Sequence, residues 1–268
     1  MLALIPLAAV VSLALFLGNL APAWGWRRAC LRASLAAGAY LVLTTEGLSF
    51  LSAITPAGLA VAWGALLLAA VVGIIRQWRR TGRLLLPTPQ LPRNWLDRAL
   101  LAGLVGVMAV TALVAWAAPP NTWDSLNYHM PRVAHWAQQR SVRPFATGIE
   151  IQNSMSPGAE MAVLHLYVLA GGDRLANFVE WAAMALSVIG VSLIARQLGG
   201  KAPASLVAGI VAATLPTGII QASSTMTDYV TALWVLCAAS GTLSLASEVE
   251  PPTAVVPWLA MATGLALL

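Results

Sequence analysis

Long apolar segments recur along the chain, and they constrain its fold more than any other feature. Several of them are long enough to cross about 30 Å of hydrocarbon as helices. Leu, Ala and Val dominate them without strict alternation, which argues against a membrane barrel. With 59% hydrophobic and 9% charged residues, the chain has too little polar surface for a soluble domain. We therefore predict an all-α polytopic membrane protein of about eight transmembrane helices. The predicted spans are 2–24, 33–54, 56–75, 99–117, 177–195, 202–220, 229–246 and 253–268.

Basic residues in the short segments between these spans predict the topology. The segment 76–98 holds six arginines against the single acid Asp97, so the positive-inside rule places it in the cytoplasm, and its proline-rich part at 86–92 is predicted to be a loop. Residues 118–176 are then external, and Asp124 and Asp228 share one side. A short apolar helix predicted at 160–170 cannot cross and is expected to lie along the membrane surface.

The same charge pattern limits localisation and partners. The protein is expected to be a multi-pass protein of the inner or plasma membrane, with an external N-terminus. The pI of 9.9 then reflects topology and implies no nucleic-acid partner. Cys30 and Cys237 lie far apart in apolar segments, so no disulfide framework or cysteine metal cluster is predicted.

The richest group of reactive side chains follows the fourth predicted span. Residues 121–132 read Asn-Thr-Trp-Asp-Ser-Leu-Asn-Tyr-His-Met-Pro-Arg, which gathers Asp124, Tyr128, His129 and Arg132 at one membrane surface. An aspartate there can act as a general base or as an oxygen ligand for a metal, and an arginine can hold phosphate oxygens. A structural interpretation stands beside this one: any external loop is polar, and Asp124 with Arg132 can form a surface ion pair of little energetic consequence.

Four further polar residues lie in or beside apolar segments. Glu46 and Glu180 fall within predicted spans and His165 falls on the short apolar helix, and packing or an interfacial position is the preferred interpretation of each. Asp228 precedes a predicted span, where an acid can cap the helix or serve a functional site. If Glu46, Glu180 and Asp228 instead lined an ion path, the chain would be a transporter or a flippase for a lipid carrier.

The order of motifs between residues 99 and 246 carries more information than any single residue. It reads span, Trp-Asp-x-x-x-Tyr-His-x-Pro-Arg, polar loop, Pro-Gly-x-Glu, short apolar helix, Asp-Arg-Leu, span, Arg-x-Leu-Gly-Gly, span, Thr-x-Thr-Asp. This order resembles the N-terminal half of GT-C fold membrane glycosyltransferases, and within them the aminoarabinose transferase and protein O-mannosyltransferase-like group. Relatives often have Lys-Pro-Pro-Leu where this chain has Ser-Pro-Gly-Ala-Glu at 156–160.

The resemblance implies an activity and a set of site residues. The activity is transfer of a sugar from a polyprenyl-phosphate donor to a lipid, glycan or protein acceptor on the external face. Asp124 is the implied catalytic residue, either as general base or by orienting the acceptor. A divalent metal ion is the implied cofactor, with Glu160 and Asp228 as its ligands. The implied substrate-binding residues are Tyr128, His129, Arg132, Asp228 and Glu160. Arg132, Arg140 and Arg143 are candidates to stabilise the departing phosphate.

The resemblance also implies a division of the chain. Residues 1–98 form an N-terminal extension of three spans and the cytoplasmic basic loop, and residues 99–268 form the GT-C-like core with its external loop at 118–176. Because Leu268 lies in an apolar run without a polar flank, we expect this core to be the N-terminal portion of a longer one. A third interpretation is therefore a noncatalytic fragment, which would fold without turning over substrate.

Overall fold

The computed structural model describes residues 2–87, 94–248 and 250–268. All regular secondary structure in these ranges is helical, which confirms the all-α part of the predicted class. Residues 88–92 of the predicted proline-rich loop lie outside the described ranges, as does Arg93. The α-helices are α1 (Leu4–Leu20), α2 (Gly25–Phe50), α3 (Pro56–Thr81), α4 (Trp95–Ala117), α5 (Met130–Gln139), α6 (Ile151–Ser154), α7 (Gly158–Ala170), α8 (Phe178–Gln197), α9 (Ala202–Ala213), α10 (Pro216–Gln221), α11 (Asp228–Ala246) and α12 (Pro252–Ala266).

Four helical segments of the described chain are long and apolar enough to cross a membrane. They are Pro56–Thr81, Trp95–Ala117, Asp173–Gln197 and Asp228–Ala246, and a fifth is added if α1 and α2, which meet at a 103° bend, count as one span. The predicted number of about eight spans is not confirmed. Pro216 accounts for part of the difference, because it begins α10 within what was predicted as one continuous span and leaves α9 only 12 residues long. Pro22 lies at the break between α1 and α2, two residues before the predicted end of the first span.

The ends of the long helices carry local stop and start signals. Thr55 accepts a hydrogen bond at its Oγ1 from the backbone N of Gly58 (3.1 Å), which caps the start of α3, and Pro56 occupies the first turn. Gly82 ends α3 in the left-handed conformation, at φ 65°. Asn94 caps α4 by accepting from the backbone N of Asp97 (2.7 Å). These signals fix where α3 ends and α4 begins.

One end of the helix bundle is basic. Arg27 near the start of α2 donates from Nε to Ser192 Oγ near the end of α8 (3.0 Å), so these termini lie together. Gln77 near the end of α3 donates to the backbone O of Asn19 at the end of α1 (2.6 Å). We name this the basic end, because its charged residues are mostly cationic. The described members are Arg27, Arg28, Arg32, Arg76, Arg79, Arg80, Arg83, Arg98, Arg196 and Lys201, together with the acids Asp97, Glu248 and Glu250.

The opposite end gathers most of the carboxylates. Ser49 near the end of α2 shares a hydrogen bond with Ser141 after α5 (2.8 Å), and Thr225 before α11 donates to Ser125 after α4 (2.8 Å). The segment predicted to be external therefore packs at one pole of the bundle. We name this pole the acidic end. Its charged residues are Glu46, Asp124, Glu150, Glu160, Asp173, Glu180 and Asp228, with Arg132, Arg140, Arg143 and Arg174.

The main hydrophobic cluster joins the N-terminal helices to the helices of the segment 118–176. Ile54, Leu59 and Trp63 are buried against Val133 and Leu164. Packing therefore crosses the predicted boundary at residue 98, and the division into two parts stays a prediction. The predicted short apolar helix is confirmed as α7, which at 13 residues is about 20 Å long and well short of a crossing.

A histidine lies within this packing. His165 of α7 accepts at Nδ1 from the Trp63 indole N–H (3.0 Å), so its other nitrogen, Nε2, carries the proton and donates to Thr45 Oγ1 (2.9 Å). Thr45 in turn donates to the backbone O of Leu41 (2.7 Å). Both ring nitrogens are satisfied in the interior, as the packing interpretation of His165 expects.

Candidate functional site

The segment that follows α4 winds as a wide helical turn. Residues Ser125–His129 form a π-helix that runs directly into α5. Pro131, in the first turn of α5, has no amide hydrogen to donate to a carbonyl of the preceding turn, so the normal α-helical ladder is interrupted here. Single π-helical turns are rare and occur frequently at functional sites. The turn sets the directions in which Asp124, Tyr128 and His129 project.

Asp124 and Asp228 come to the same end of the bundle on segments that touch. Besides the bond between Thr225 and Ser125, Thr122 Oγ1 lies 3.4 Å from Met226 Sδ. Asp124 is half-buried and Asp228 is exposed. Neither side-chain carboxylate accepts a hydrogen bond from a described residue, so both are free to act on a bound molecule.

Tyr128 lies among these acids. Burial raises the pKa of its hydroxyl, and the carboxylates of Asp124, Glu160 and Asp228 raise that pKa further, while the Arg132 guanidinium opposes them. The phenol is thus within electrostatic reach of three carboxylates, and it stays protonated as a hydrogen-bond donor at neutral pH.

Glu160 accepts hydrogen bonds from two other predicted site residues. Its Oε1 accepts from Arg132 Nη1 (3.0 Å) and from His129 Nδ1 (2.9 Å), and its side chain is only 1% exposed. Since a carboxylate accepts here, Nδ1 of His129 carries a hydrogen. The second carboxylate oxygen, Oε2, is buried and has no hydrogen-bond partner among the described residues.

Arg132 joins Glu160 to the backbone of residues 151–156. It is 1% exposed, and each of its five N–H groups has an acceptor inside the protein. Besides Glu160 Oε1, the acceptors are the backbone oxygens of Gln152 (2.7 Å), Met155 (3.0 Å), Ile151 (3.1 Å) and Ser156 (3.5 Å). All five donors of Arg132 are therefore engaged within the protein, and its substrate-binding role stays a prediction. Arg140 and Arg143, the other two candidates for a phosphate, are exposed.

Glu180 and Glu46 take positions that bear on the ion-path interpretation. The fully buried carboxylate of Glu180 accepts the backbone N–H groups of Tyr229 (2.9 Å) and Val230 (3.2 Å), so Glu180 satisfies the first turn of α11 and Asp228 does not cap it with its side chain. Glu46 is exposed and borders a small cavity of about 130 Å³ that Arg132 also lines. All three acids of that interpretation lie at the acidic end.

Metal ligation finds limited support in this arrangement. Within residues 2–87, 94–248 and 250–268, no three His, Cys, Asp or Glu side chains are grouped as metal ligands. The predicted divalent ion, with Asp228 and Glu160 as ligands, stays a prediction. The buried and engaged Oε1 of Glu160 leaves its Oε2 as the oxygen that remains available.

Several residues of the site escaped the sequence analysis. Ser125, Thr225 and Thr122 join the two acid-bearing segments, and Gln152 donates to the backbone O of Asn127 (2.7 Å). Ser and Thr near a motif carry no signal of their own, since such hydroxyls bond locally in most proteins. Comparison with known proteins adds no relative: no family model, curated protein or solved structure matches the chain.

Proposed function

We propose that the chain is a membrane glycosyltransferase that moves a sugar from a polyprenyl-phosphate donor to an acceptor at the acidic end. The observation that carries the proposal is the convergence of Asp124 and Asp228, two accessible and unpaired carboxylates, on touching segments. A lipid-linked donor keeps its tail in the bilayer, so its anomeric carbon and phosphate sit at a membrane surface. Reactive carboxylates at one end of the bundle suit such a donor.

The reaction is a direct displacement. The acceptor oxygen forms a bond to the anomeric carbon while the bond from that carbon to the phosphate oxygen breaks, and the electron pair leaves with the phosphate. Asp124 takes the acceptor's proton as general base. Asp228 orients the acceptor or holds a divalent ion, and Arg140 and Arg143 are among the exposed cations of the acidic end that are available to the phosphate.

Three buried side chains hold the segment that carries the proposed reacting residues. Glu160, His129 and Arg132 fix the π-helical turn against α7 and the 151–156 segment. Tyr128, with its raised pKa, remains a donor that can hold a sugar or phosphate oxygen. A site whose supporting hydrogen bonds are fixed before substrate arrives pays little reorganisation during reaction.

The positions of the acids favour an enzyme over a transporter. A transporter or flippase would place acids at mid-span depth to form a path. In this chain Glu46, Glu180 and Asp228 lie at the acidic end, and Glu180 already accepts two backbone N–H groups. The remaining acids lie at one pole or the other of the bundle.

The proposal includes a multi-pass topology in an inner or plasma membrane, with about eight spans and the acidic end external. The excess of cations at the basic end supports a cytoplasmic position for that end. Eight spans result if α1 and α2 each cross separately and the shorter helices α9 and α12 also cross, in addition to the four segments that length and composition support.

Cysteine labelling tests this topology. In a chain with Cys30→Ala and Cys237→Ala, single Arg143→Cys and Arg79→Cys variants each expose one thiol, because both positions are exposed at opposite ends of the bundle. We expect a membrane-impermeant maleimide to label the variant at 143 in intact cells, and the variant at 79 only after permeabilisation. The reverse pattern, or labelling of both in intact cells, would contradict the topology.

The activity is tested with the full chain in lipid nanodiscs. Synthetic short-chain polyprenyl phosphates carrying a labelled pentose or hexose serve as donors, and an envelope fraction supplies acceptors. We expect label to appear on the acceptor fraction together with free polyprenyl phosphate, which reports turnover for any donor sugar. A folded protein that releases none across the donors refutes the proposal, and ion flux in proteoliposomes under the same conditions would favour the transporter.

A further inference from the structure

A large groove lies beside the last turn of α4 at the acidic end. Its volume is about 460 Å³, within the range of about 300–1,000 Å³ that small-molecule sites occupy. Leu113 and Trp116 form an apolar wall, Ala118 and Pro119 continue it, and Arg174 borders it. Because α4 is one of the helices able to cross a membrane, this wall reaches the level of the membrane surface.

The guanidinium of Arg174 lies at the groove without a hydrogen-bond or ion-pair partner among the described residues. The Arg174 guanidinium is stacked on the Trp116 ring at 5.4 Å from its centroid, and the side chain is exposed. No described residue accepts a hydrogen bond from it or pairs with it. In contrast to Arg132, its donors are therefore all available, and the stacking already restricts its position.

The groove also carries an acceptor. Asp173 lines it beside Arg174, is exposed, and its carboxylate accepts no hydrogen bond from the described residues. No salt bridge joins Asp173 to Arg174 among the described residues. An apolar wall, a free guanidinium and a free carboxylate thus share one opening.

The position of the groove relates it to Asp124. Pro119 precedes Asp124 by five residues, so their Cα atoms are at most about 18 Å apart. The wall is also anchored: the buried Asn177 amide donates to the backbone oxygens of Ala118 (3.0 Å) and Ala115 (3.3 Å). The groove and Asp124 therefore lie on one short segment at the acidic end, which places a ligand of the groove near the segment that carries the reacting carboxylate.

We infer that this groove binds the lipid-phosphate part of the donor, with the isoprenoid chain against Leu113 and Trp116 and the phosphate on Arg174. Asp173 accepts hydrogen bonds from hydroxyls of the sugar. An arginine holds phosphate oxygens in bidentate fashion, and the apolar wall retains the chain. The identity of the ligand as the donor rests on the proposed function, whereas binding of a lipid phosphate at this groove does not require turnover.

Binding of a short-chain polyprenyl phosphate without sugar tests the inference. Native mass spectrometry of the purified full chain gives its dissociation constant for the wild type, Arg174→Gln and Arg79→Gln. We expect Arg174→Gln to weaken binding by at least about tenfold, because a charge-assisted pair is lost. The control Arg79→Gln removes the same charge from an exposed position at the basic end and should bind within about twofold of the wild type.

A second variant and a second lipid separate the remaining outcomes. Leu113→Gln, at an exposed site on the apolar wall, should also weaken binding, whereas inorganic phosphate should not compete with the lipid. Unchanged binding in Arg174→Gln would overturn the groove assignment. Equal binding of phosphatidylglycerol, with the same dependence on Arg174, would show a general phospholipid site and overturn the donor assignment. Arg174-dependent, polyprenyl-selective binding without sugar transfer would uphold the groove and refute the enzyme.

Discussion

Replacing Asp124 by asparagine is expected to reduce sugar transfer by at least about 100-fold, because general-base catalysis contributes about 10²–10⁴-fold to rates. The amide has nearly the same shape as the carboxylate but cannot take the acceptor's proton. Stability should change by less than about 0.5 kcal/mol, since the side chain is half-buried and no described residue hydrogen-bonds to its carboxylate. Initial rates of polyprenyl phosphate release, with thermal unfolding of the same preparation, measure both effects.

The matched control is Glu150→Gln. Glu150 is an exposed acid of the same segment, 118–176, and its side chain has no hydrogen-bond partner among the described residues. We expect this variant to keep its rate within about twofold of the wild type. If Asp124→Asn retained more than about a tenth of the rate, Asp124 would not be the base. If both variants lost activity equally, the net charge of the loop would be responsible.

The second large effect is on stability. Arg132→Met is expected to lower the free energy of unfolding by about 3–5 kcal/mol, the range seen when one partner of a buried ion pair is removed. The change leaves the Glu160 carboxylate buried without its cation and deprives four backbone oxygens of their donors. Thermal unfolding in detergent, followed by tryptophan fluorescence, measures the loss.

Two further variants test whether the buried contacts of Arg132 cause that loss of stability. Arg132→Lys keeps the charge but supplies three donors in place of five, so it should recover only part of the stability. Arg143→Met removes an exposed arginine from the same loop and should change stability by less than about 0.5 kcal/mol. A melting temperature for Arg132→Met equal to that of Arg143→Met would show that the buried contacts of Arg132 do not hold the loop.

Composition and charge pattern were enough to predict the helical class and the gathering of Asp124 and Asp228 at one pole. The first follows because apolar segments of this length satisfy their backbone groups as helices. The second follows from the basic residues at 76–98, Arg196 and Lys201, which order the spans without knowledge of any contact.

The number of spans and the positions of their breaks were harder to predict from the sequence. Hydropathy averages over a window and registers Pro22 and Pro216 weakly, although each lies where a predicted span ends or divides. The 103° bend between α1 and α2 depends on how both pack against the rest of the bundle. Such tertiary preferences decide helix boundaries and angles, which local sequence does not encode.

The supporting contacts of the site could not be predicted. His129 and Glu160 are 31 residues apart, and Ser125 and Thr225 are 100 residues apart, so no spacing rule joins them. Arg132 was one of three arginines predicted as candidates for a phosphate, and no pattern in the sequence indicated that backbone oxygens of residues 151–156 would occupy its donors. The type of a side chain indicates what it can bind, but burial decides what it does bind.

The contacts of Arg132 also bear on how substrates arrive. Through this one side chain, α5, the 151–156 segment and α7 are fastened together, so we expect them to move as one rigid body. A cover that opens and closes over the site during each turnover would require these pieces to separate. Sideways diffusion within the bilayer is then the natural route of entry for the proposed donor, whose tail is held in the membrane. Turnover should accordingly respond to lipid fluidity more than to solvent viscosity.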